Sequence, residues 1–526
     1  MSLNKLTGYH ESSAMPQRVR DVLGRLKVSI HQNIYEADFE YGVQPLRWEA
    51  FTTGGATITH QPGKGGVKMS VTTASGDIAI RQSRPYHRYQ PGKTMFMATA
   101  CLMGTAQTNN VTRVGFFDDA NGAFFEQGTA TATNPFGMAV VVRSDSSGAV
   151  VDARFPLDQW NGDMMNIRQL DFTRIQMFWI EYAWYGAGAT RFGFWIDGEP
   201  VIAHQTGWAN YASPAGVPST QPWSRTGNLP VRYEQRNSGA ISGANDLFHY
   251  GVSVIVEGQQ DQQRGFTYSY GMSPANPVRS ISGASTRFPV LSIRGRAMGT
   301  VEYTQASTGS SVAGTTGSTT GTVTGGSTST LVAAGANWVV DYWKGRYVYL
   351  QGLSTTQGGT GAIGRIVSNT ATTLTFVDNI TGGVLSASAA SATTYTIGVL
   401  NRGQLLPRRL MAVNTSTAQT VVIEIVASTP TSPVVLTGAT FNALASLGSP
   451  NSFAERDVSA TALSGGEVVF AFVLSTGAGV QDIDLTYFFP LLNTLRGNQM
   501  DILSVCVSSS ATCTVGAHLI CQEAMS

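Results

Sequence analysis

Ile175-Gln176-Met177-Phe178-Trp179-Ile180-Glu181-Tyr182 is an eight-residue run that is mostly apolar and rich in aromatic and β-branched residues. Such a run fits a strand buried on both faces. Nearby, Arg191-Phe192-Gly193-Phe194-Trp195-Ile196 leads into Asp197-Gly198, and Val201-Ile202 resumes beyond it. An Asp-Gly pair between apolar runs predicts a tight hairpin, because both central residues of the favoured turn need positive φ. Asn121-Gly122 does the same between Val114-Gly115-Phe116-Phe117 and Ala123-Phe124-Phe125. Met138 to Arg143 and Val252 to Val256 read as further strands. Many short strands with almost no helical period predict a β-sandwich of jelly-roll type.

Composition agrees. The chain has 526 residues, 58 of them glycine, with 42% hydrophobic and 13% charged residues. That is too apolar for a disordered chain and too glycine-rich for a helical bundle. The formal net charge of +1 provides no general field for nucleic acid or an anionic membrane. No apolar run reaches the ~18 residues that a membrane helix needs. Residues 1–10 lack the basic-then-apolar signature of a secretory signal. Cys101, Cys506, Cys513 and Cys521 form no Cys-x-x-Cys pair and read as buried, reduced thiols.

The expected organisation is mainly β and multi-domain. Residues 1–40 are an N-terminal arm with a short helix, because Val19, Val22, Leu23 and Leu26 follow helical spacing beside Arg18, Arg20 and Arg25. Arg18, Val19, Val22, Leu23 and Leu26 are the candidate docking residues of that arm. Residues 41–300 are the jelly-roll-like body, and 301–330 a Gly/Ser/Thr linker. Residues 331–399 are a small β module set between two larger parts. Residues 400–526, with Val421 to Val426 and Glu467 to Val473 alternating, form a C-terminal β-sandwich.

The residues point to no catalytic constellation. Gln90-Pro91-Gly92-Lys93-Thr94 resembles the end of a phosphate loop, but His87 stands where the first glycine belongs. There is no Gly-x-Ser-x-Gly elbow and no His-Glu-x-x-His pair. The seven histidines show no metal-ligand spacing. Asp118-Asp119-Ala120-Asn121-Gly122 shares features with a calcium loop, and a hairpin turn explains the same residues. Asp482 and Asp484 lie two apart on one strand, as many surface carboxylates do. The reading is therefore no enzyme, no cofactor and no metal.

Six tryptophans, Trp160, Trp179, Trp184, Trp195, Trp208 and Trp223, fall between residues 160 and 223. Carbohydrate-binding sandwiches stack sugars on such rings, whereas sandwich cores bury them. Trp179 and Trp195, inside strands, read as core. Trp208 and Trp223 lie in the Pro/Gly/Asn-rich loop 207–230, so Trp208, Trp223, Arg225 and Asn228 are the candidate ligand or subunit contacts.

Several motifs resemble a family of tailed-bacteriophage virion structural proteins. They include Asp38 to Gly42, Gln44 to Glu49, Tyr86 to Lys93, Gly115 to Gly122, Trp160-Asn161-Gly162-Asp163 and Asn228 to Glu234. The middle unit is similar to a small phage β module through Asn337-Trp338, Trp343 to Val348, Gly364-Arg365-Ile366, Ser368 to Thr375 and Tyr395-Thr396-Ile397. It departs in its long Ser354 to Gly361 loop. A looser likeness covers Asp501 to Val505 and Ala517 to Glu523. The resemblance implies a non-enzymatic virion part in the tail, collar or a fibre-like appendage, assembled in bacterial cytoplasm. It also implies symmetric self-association, with a trimer favoured. The alternatives are a capsid decoration or head-fibre protein, and a carbohydrate-binding adhesion module that contacts a host-surface glycan. None involves nucleic acid or membrane insertion.

Overall fold

The structure is a computed structural model. It describes residues 20–207, 220–259, 265–272, 277–299, 320–352, 361–417, 419–444, 452–477, 480–486, 488, 490–498 and 500–524. The chain divides into two units, 1–261 and 262–526.

Among the described residues the first unit contains fifteen strands: β1 (His31–Ala37), β2 (Trp48–Thr53), β3 (Thr57–Gln61), β4 (Gly66–Val71), β5 (Ile78–Ser83), β6 (Met95–Leu102), β7 (Asn110–Phe117), β8 (Gly122–Gln127), β9 (Met138–Ser144), β10 (Val151–Pro156), β11 (Gln176–Tyr182), β12 (Thr190–Ile196), β13 (Glu199–Thr206), β14 (Val231–Asn237) and β15 (Asn245–Glu257). They form two antiparallel sheets. One has the order β13-β12-β11-β6-β15-β4-β3, with β1 also on β15. The other has the order β10-β9-β8-β7-β14-β5-β2. The thirteen-residue β15 serves two neighbours on one side: its first half pairs with β4 and its second half with β1.

The jelly-roll-type sandwich expected from the strand pattern is therefore present. Asp197 and Gly198 both adopt positive φ and join β12 to β13. The facing sheets bury Met95, Met97, Phe178, Ile180, Tyr182, Phe192 and Phe194 against Phe116, Phe125, Val140 and Tyr233. Burying rings of this size supplies most of the hydrophobic stabilisation of such a core.

The second unit holds its own sandwich. In one sheet, Phe266–Gly271, Cys513–Ala524, Gln404–Asn414 and Gln481–Asp484 lie side by side. In the other the order is Asn442–Ala443, Ala454–Asp457, Ser285–Gly295, Leu503–Ser509, Val421–Ala427 and Glu467–Leu474. Leu291, Ile293, Leu410, Ile423, Val505 and Leu519 form the core between them. A further sheet runs from Thr320–Thr322 to Thr394–Leu400 around Trp338, Trp343, Phe376 and Tyr395. Within it, buried Asn369 accepts from the Trp343 N–H at 2.9 Å and donates to the Val339 carbonyl at 2.7 Å. Met298, Tyr347 and Ile363, together with an Arg496–Asp378 ion pair, pack this sheet on the sandwich.

Three expectations need correction. The body does not extend to residue 300, because Phe266–Gly271 and Ser285–Gly295 pair with strands beyond residue 450. Strand alternation specifies a buried face but not which sheet supplies the neighbour. The linker does not extend to residue 330, since Thr320–Thr322, Gly325–Gly326 and Thr330–Val332 are strands of the small sheet. Finally, residues 20–30 form no helix. Gly24 takes φ +80°, and Asp21 turns the chain back by accepting from the Arg25 backbone N–H and guanidinium, both at 2.7 Å. A bridge between Arg20 and Leu26 closes this loop. Arg18 and Val19 lie outside the described residues. Of the other arm residues, Val22 is buried while Leu23 and Leu26 are exposed.

Candidate functional site

Alternation along β11 and β12 separates two faces. Phe178, Ile180, Tyr182, Phe192 and Phe194 enter the core. Trp179, Glu181, Arg191 and Trp195 line a cavity of about 290 Å³ on the opposite face of the sheet. This is near the lower end of the ~300–1,000 Å³ usual for small-molecule sites.

The floor is aromatic. Phe96 on β6 stacks on Trp179, with centroids 5.9 Å apart and planes at 23°. Trp195 stands edge-on to both, 5.8 Å from Phe96 and 6.5 Å from Trp179. Gly193 pairs directly with Trp179 across β11 and β12. A Cβ at Gly193 would come within 2.2 Å of Trp179 Cζ2, so the absence of a side chain allows the indole to lie across the neighbouring strand. The indole N–H donates to the Phe194 carbonyl at 3.2 Å, which fixes the ring.

Charge borders the rings. Glu181 is only 2% exposed, and its cross-strand neighbours are Arg191 and Phe96. Its carboxylate is 2.9 Å from Lys27 Nζ and 3.5 Å from Arg191. Burial pushes the Glu181 carboxyl up, and the Lys27 and Arg191 charges oppose that rise without cancelling it. Arg191 also donates to Gln205 at 2.9 Å and to the Arg20 carbonyl at 2.9 Å. Lys27 Nζ lies 5.7 Å from the Phe96 centroid. At the other end, Glu257 accepts from Thr94 at 2.9 Å and Ser29 at 3.4 Å. The cavity thus combines three rings, which suit an apolar C–H face, with carboxylate and guanidinium groups able to bond hydroxyls.

Of the candidates in loop 207–230, the described Trp223, Arg225 and Asn228 are engaged with the body. Trp208 lies outside the described residues. Trp223 is buried and packs edge-on against Tyr182, with centroids 5.9 Å apart. A large ring in a polar loop lowers its free energy by plugging the end of the sandwich, so Trp223 is an anchor and presents no ligand surface. Arg225 pairs with Asp145 at 2.8 Å, and the Asn228 side-chain oxygen accepts from the Tyr89 N–H at 2.8 Å. Both groups hold the loop to the body.

The calcium-like turn is occupied by protein donors. Asp118 accepts from the backbone N–H groups of Ala120 and Asn121, each at 2.8 Å, and Asp119 pairs with Arg232. In the second unit Asp482 pairs with Arg409, and Asp484 accepts from the Thr486 N–H at 2.8 Å. Among the described residues, no group of three or more His, Cys, Asp or Glu side chains could hold a metal ion. All four cysteines are buried and unpaired. No helix among the described residues is long and apolar enough to cross a membrane.

Sequence reasoning placed Trp179 and Trp195 in the core; Trp179 is buried, at 4% exposure, but on the face of the sheet opposite the sandwich core, and Trp195 is only half-buried, so the cavity was missed. The available signal was Glu181, a charge inside an apolar strand at i+2 from Trp179, opposite a strand carrying Arg191, Gly193 and Trp195 at the same spacing.

No protein-family model matches the chain, and no curated protein matches it. Solved structures are similar to part of it. A glycosyl hydrolase family 16 protein from Mycobacterium smegmatis is 11% identical over 42% of this chain and 100% of its own, with a TM-score of 0.28. A beta-1,3-glucanase from Mycobacterium marinum is 11% identical over 42% of this chain and 98% of its own, with a TM-score of 0.27. The Emp47p carbohydrate recognition domain is 11% identical over 44% of this chain and 97% of its own, with a TM-score of 0.25. At such values these likenesses carry no argument about function.

The resemblance to tailed-phage virion proteins does not stand: no family model and no curated protein matches the chain to support it. Three of its motifs, Tyr86 to Lys93, Gly115 to Gly122 and Trp160 to Asp163, hold the Pro-Gly or Asn-Gly turns that any antiparallel sandwich needs.

Proposed function

We propose that the first unit is a carbohydrate-binding module whose sugar site is the cavity on the outer face of β6, β11 and β12. The observation that carries this reading is the arrangement of Phe96, the buried Trp179 and the half-buried Trp195 on the outer face of the sheet, beside the desolvated Glu181–Arg191 pair. A pyranose presents an apolar C–H face and a rim of hydroxyls. Rings and buried ionised groups match those two features in one place.

Binding is favoured over hydrolysis. Burial raises the Glu181 carboxyl, but Lys27 at 2.9 Å and Arg191 at 3.5 Å already occupy it. Glu257 is already bonded to Thr94 and Ser29. The test is an oligosaccharide array followed by calorimetry on the full chain. Binding that Trp195→Ala weakens at least tenfold, with unchanged circular dichroism, supports the reading; no binding to any glycan sinks it.

A structural role through self-association is the second reading. Glu467–Leu474 lies at the end of its sheet, with Val468, Phe470 and Val473 exposed. An apolar edge strand is a template for another chain.

A further inference from the structure

The cavity has a cover made from the segment before β1. Arg20, Lys27 and His31 line it from that side. Among the described residues, the backbone hydrogen bonds of residues 20–30 outside strand pairing close within the segment itself: Asp21 to Arg25, Gly24 to Asp21 and Val28 to Leu26. Its attachments to the sheet run through side chains. Lys27 reaches Glu181 at 2.9 Å, Arg25 donates to the Gly92 carbonyl at 2.7 Å, Arg191 donates to the Arg20 carbonyl, and Ser29 donates to Glu257. Val28 and Ile30 are 84% and 86% exposed, so the segment buries little apolar surface at this end. A segment held by polar contacts and a single buried apolar side chain, Val22, belongs to the low-stability part of a structure.

We propose that residues 20–30 form a displaceable strap across the cavity, latched by Lys27 on Glu181, and that a bound sugar and the strap compete for that carboxylate. This rests on the carbohydrate reading for the identity of the competitor but not for the strap itself. The Lys27 ammonium is the contact that a sugar hydroxyl would have to replace. With Lys27 withdrawn, Glu181 keeps Arg191 as its partner, so opening does not leave a buried charge alone.

The test uses Lys27→Met in the full chain, since methionine keeps most of the stem and removes the charge. Lys27 is partly exposed, so the variant should fold. Hydrogen exchange of residues 20–30 is expected to accelerate about tenfold. Acrylamide quenching of tryptophan emission should rise, and a Trp179→Phe/Trp195→Phe background should abolish that rise. Glycan affinity should increase several-fold. Unchanged exchange across residues 20–30 overturns the strap. Faster exchange with weaker glycan binding overturns the competition and makes Lys27 a sugar contact. Faster exchange and greater quenching with no binding to any glycan leave the strap standing and remove the carbohydrate reading.

Discussion

The Trp179 indole lies across Gly193, its pairing partner on the adjacent strand, and fills the space a side chain would occupy. Gly193→Ala would place a methyl group 2.2 Å from Cζ2, against a ring tied to the Phe194 carbonyl. Overpacking of this kind costs about 1–3 kcal/mol. The variant should unfold at lower temperature, and the stacking of Phe96 on Trp179 should be lost. Near-ultraviolet circular dichroism reads the second effect. An unchanged aromatic spectrum and melting point would show that the ring is free to move.

The two faces of β11 and β12 should respond differently to truncation. Phe178 is a core residue in contact with Phe125 and Phe194, with ring centroids 5.0 Å away in both cases. Phe178→Ala should cost about 3–5 kcal/mol. Trp195 is only half-buried and faces the cavity, so Trp195→Ala should cost much less while weakening the proposed glycan binding. Urea denaturation of the two variants measures the difference. Equal losses would return Trp195 to the core.

This contrast shows how far the sequence could be read. The strands, the Asp197-Gly198 hairpin and the mainly β class are legible because turns and alternation are local. The face of a strand is legible only if its polar residues mark one side. In 175–182, Trp179 and Met177 are as apolar as Phe178 and Ile180, so Glu181 alone marks the outer face. Trp223 illustrates the reverse error: a polar loop suggested exposure, but the ring is the loop's anchor. The 19–26 spacing looked helical because Gly24 and the Asp21 turn were given too little weight against four apolar positions. The boundary at residue 300 could not be located, since the partners of Ser285–Gly295 lie at least 159 residues away in sequence, the separation of Gly295 from Ala454.

Glu234 on β14 is a buried carboxylate bound by Arg113 and Arg232 at 2.8 Å and Arg236 at 3.2 Å. Burial alone would raise its pKa, but the Arg236, Arg232 and Arg113 charges hold it well below the usual carboxylate range. Removing the charge leaves the fully buried Arg232 with Asp119 as its remaining carboxylate partner. Glu234→Gln should destabilise the first unit by about 3–5 kcal/mol. Thermal or chemical unfolding checks this. A loss below about 1 kcal/mol would mean that the network tolerates the vacancy.

Three buried histidines set an acid limit. Burial lowers His87 to about 3 and His204 to about 4, and burial together with the Arg81 charge keeps His249 well below its ordinary value. Because the folded pKa is depressed, the fold favours the neutral ring. The associated stability is complete above the unfolded value of about 6.5 and declines as pH falls from there towards each folded pKa. Each such histidine contributes a loss of about 1.4 kcal/mol per pH unit in that window. Melting temperature should therefore fall between pH 7 and pH 5. His204→Phe, which places a ring against Phe155 without a proton site, should flatten the slope. A slope equal to that of the unsubstituted protein would assign the acid sensitivity to other groups.

Glu467–Leu474 should control self-association. It pairs with Val421–Ala427 on one side and ends its sheet on the other among the described residues. Val468, Phe470 and Val473 are exposed on it, and Glu467 is its only charged residue. Natural edge strands are commonly protected by lysine, proline or a bulge. Here a bulge lies on the edge strand itself, where Val469 is the extra residue between Phe470 opposite Ile425 and Val468 opposite Val426, but the strand carries no lysine or proline. Val473→Lys is expected to leave the fold intact, because Val473 is 62% exposed, and to shift the chain towards monomer at micromolar concentration. Sedimentation velocity over a hundredfold concentration range measures the shift. If Val473→Lys and Phe470→Lys both leave the distribution unchanged, the edge carries no association and the self-assembling reading loses its structural basis.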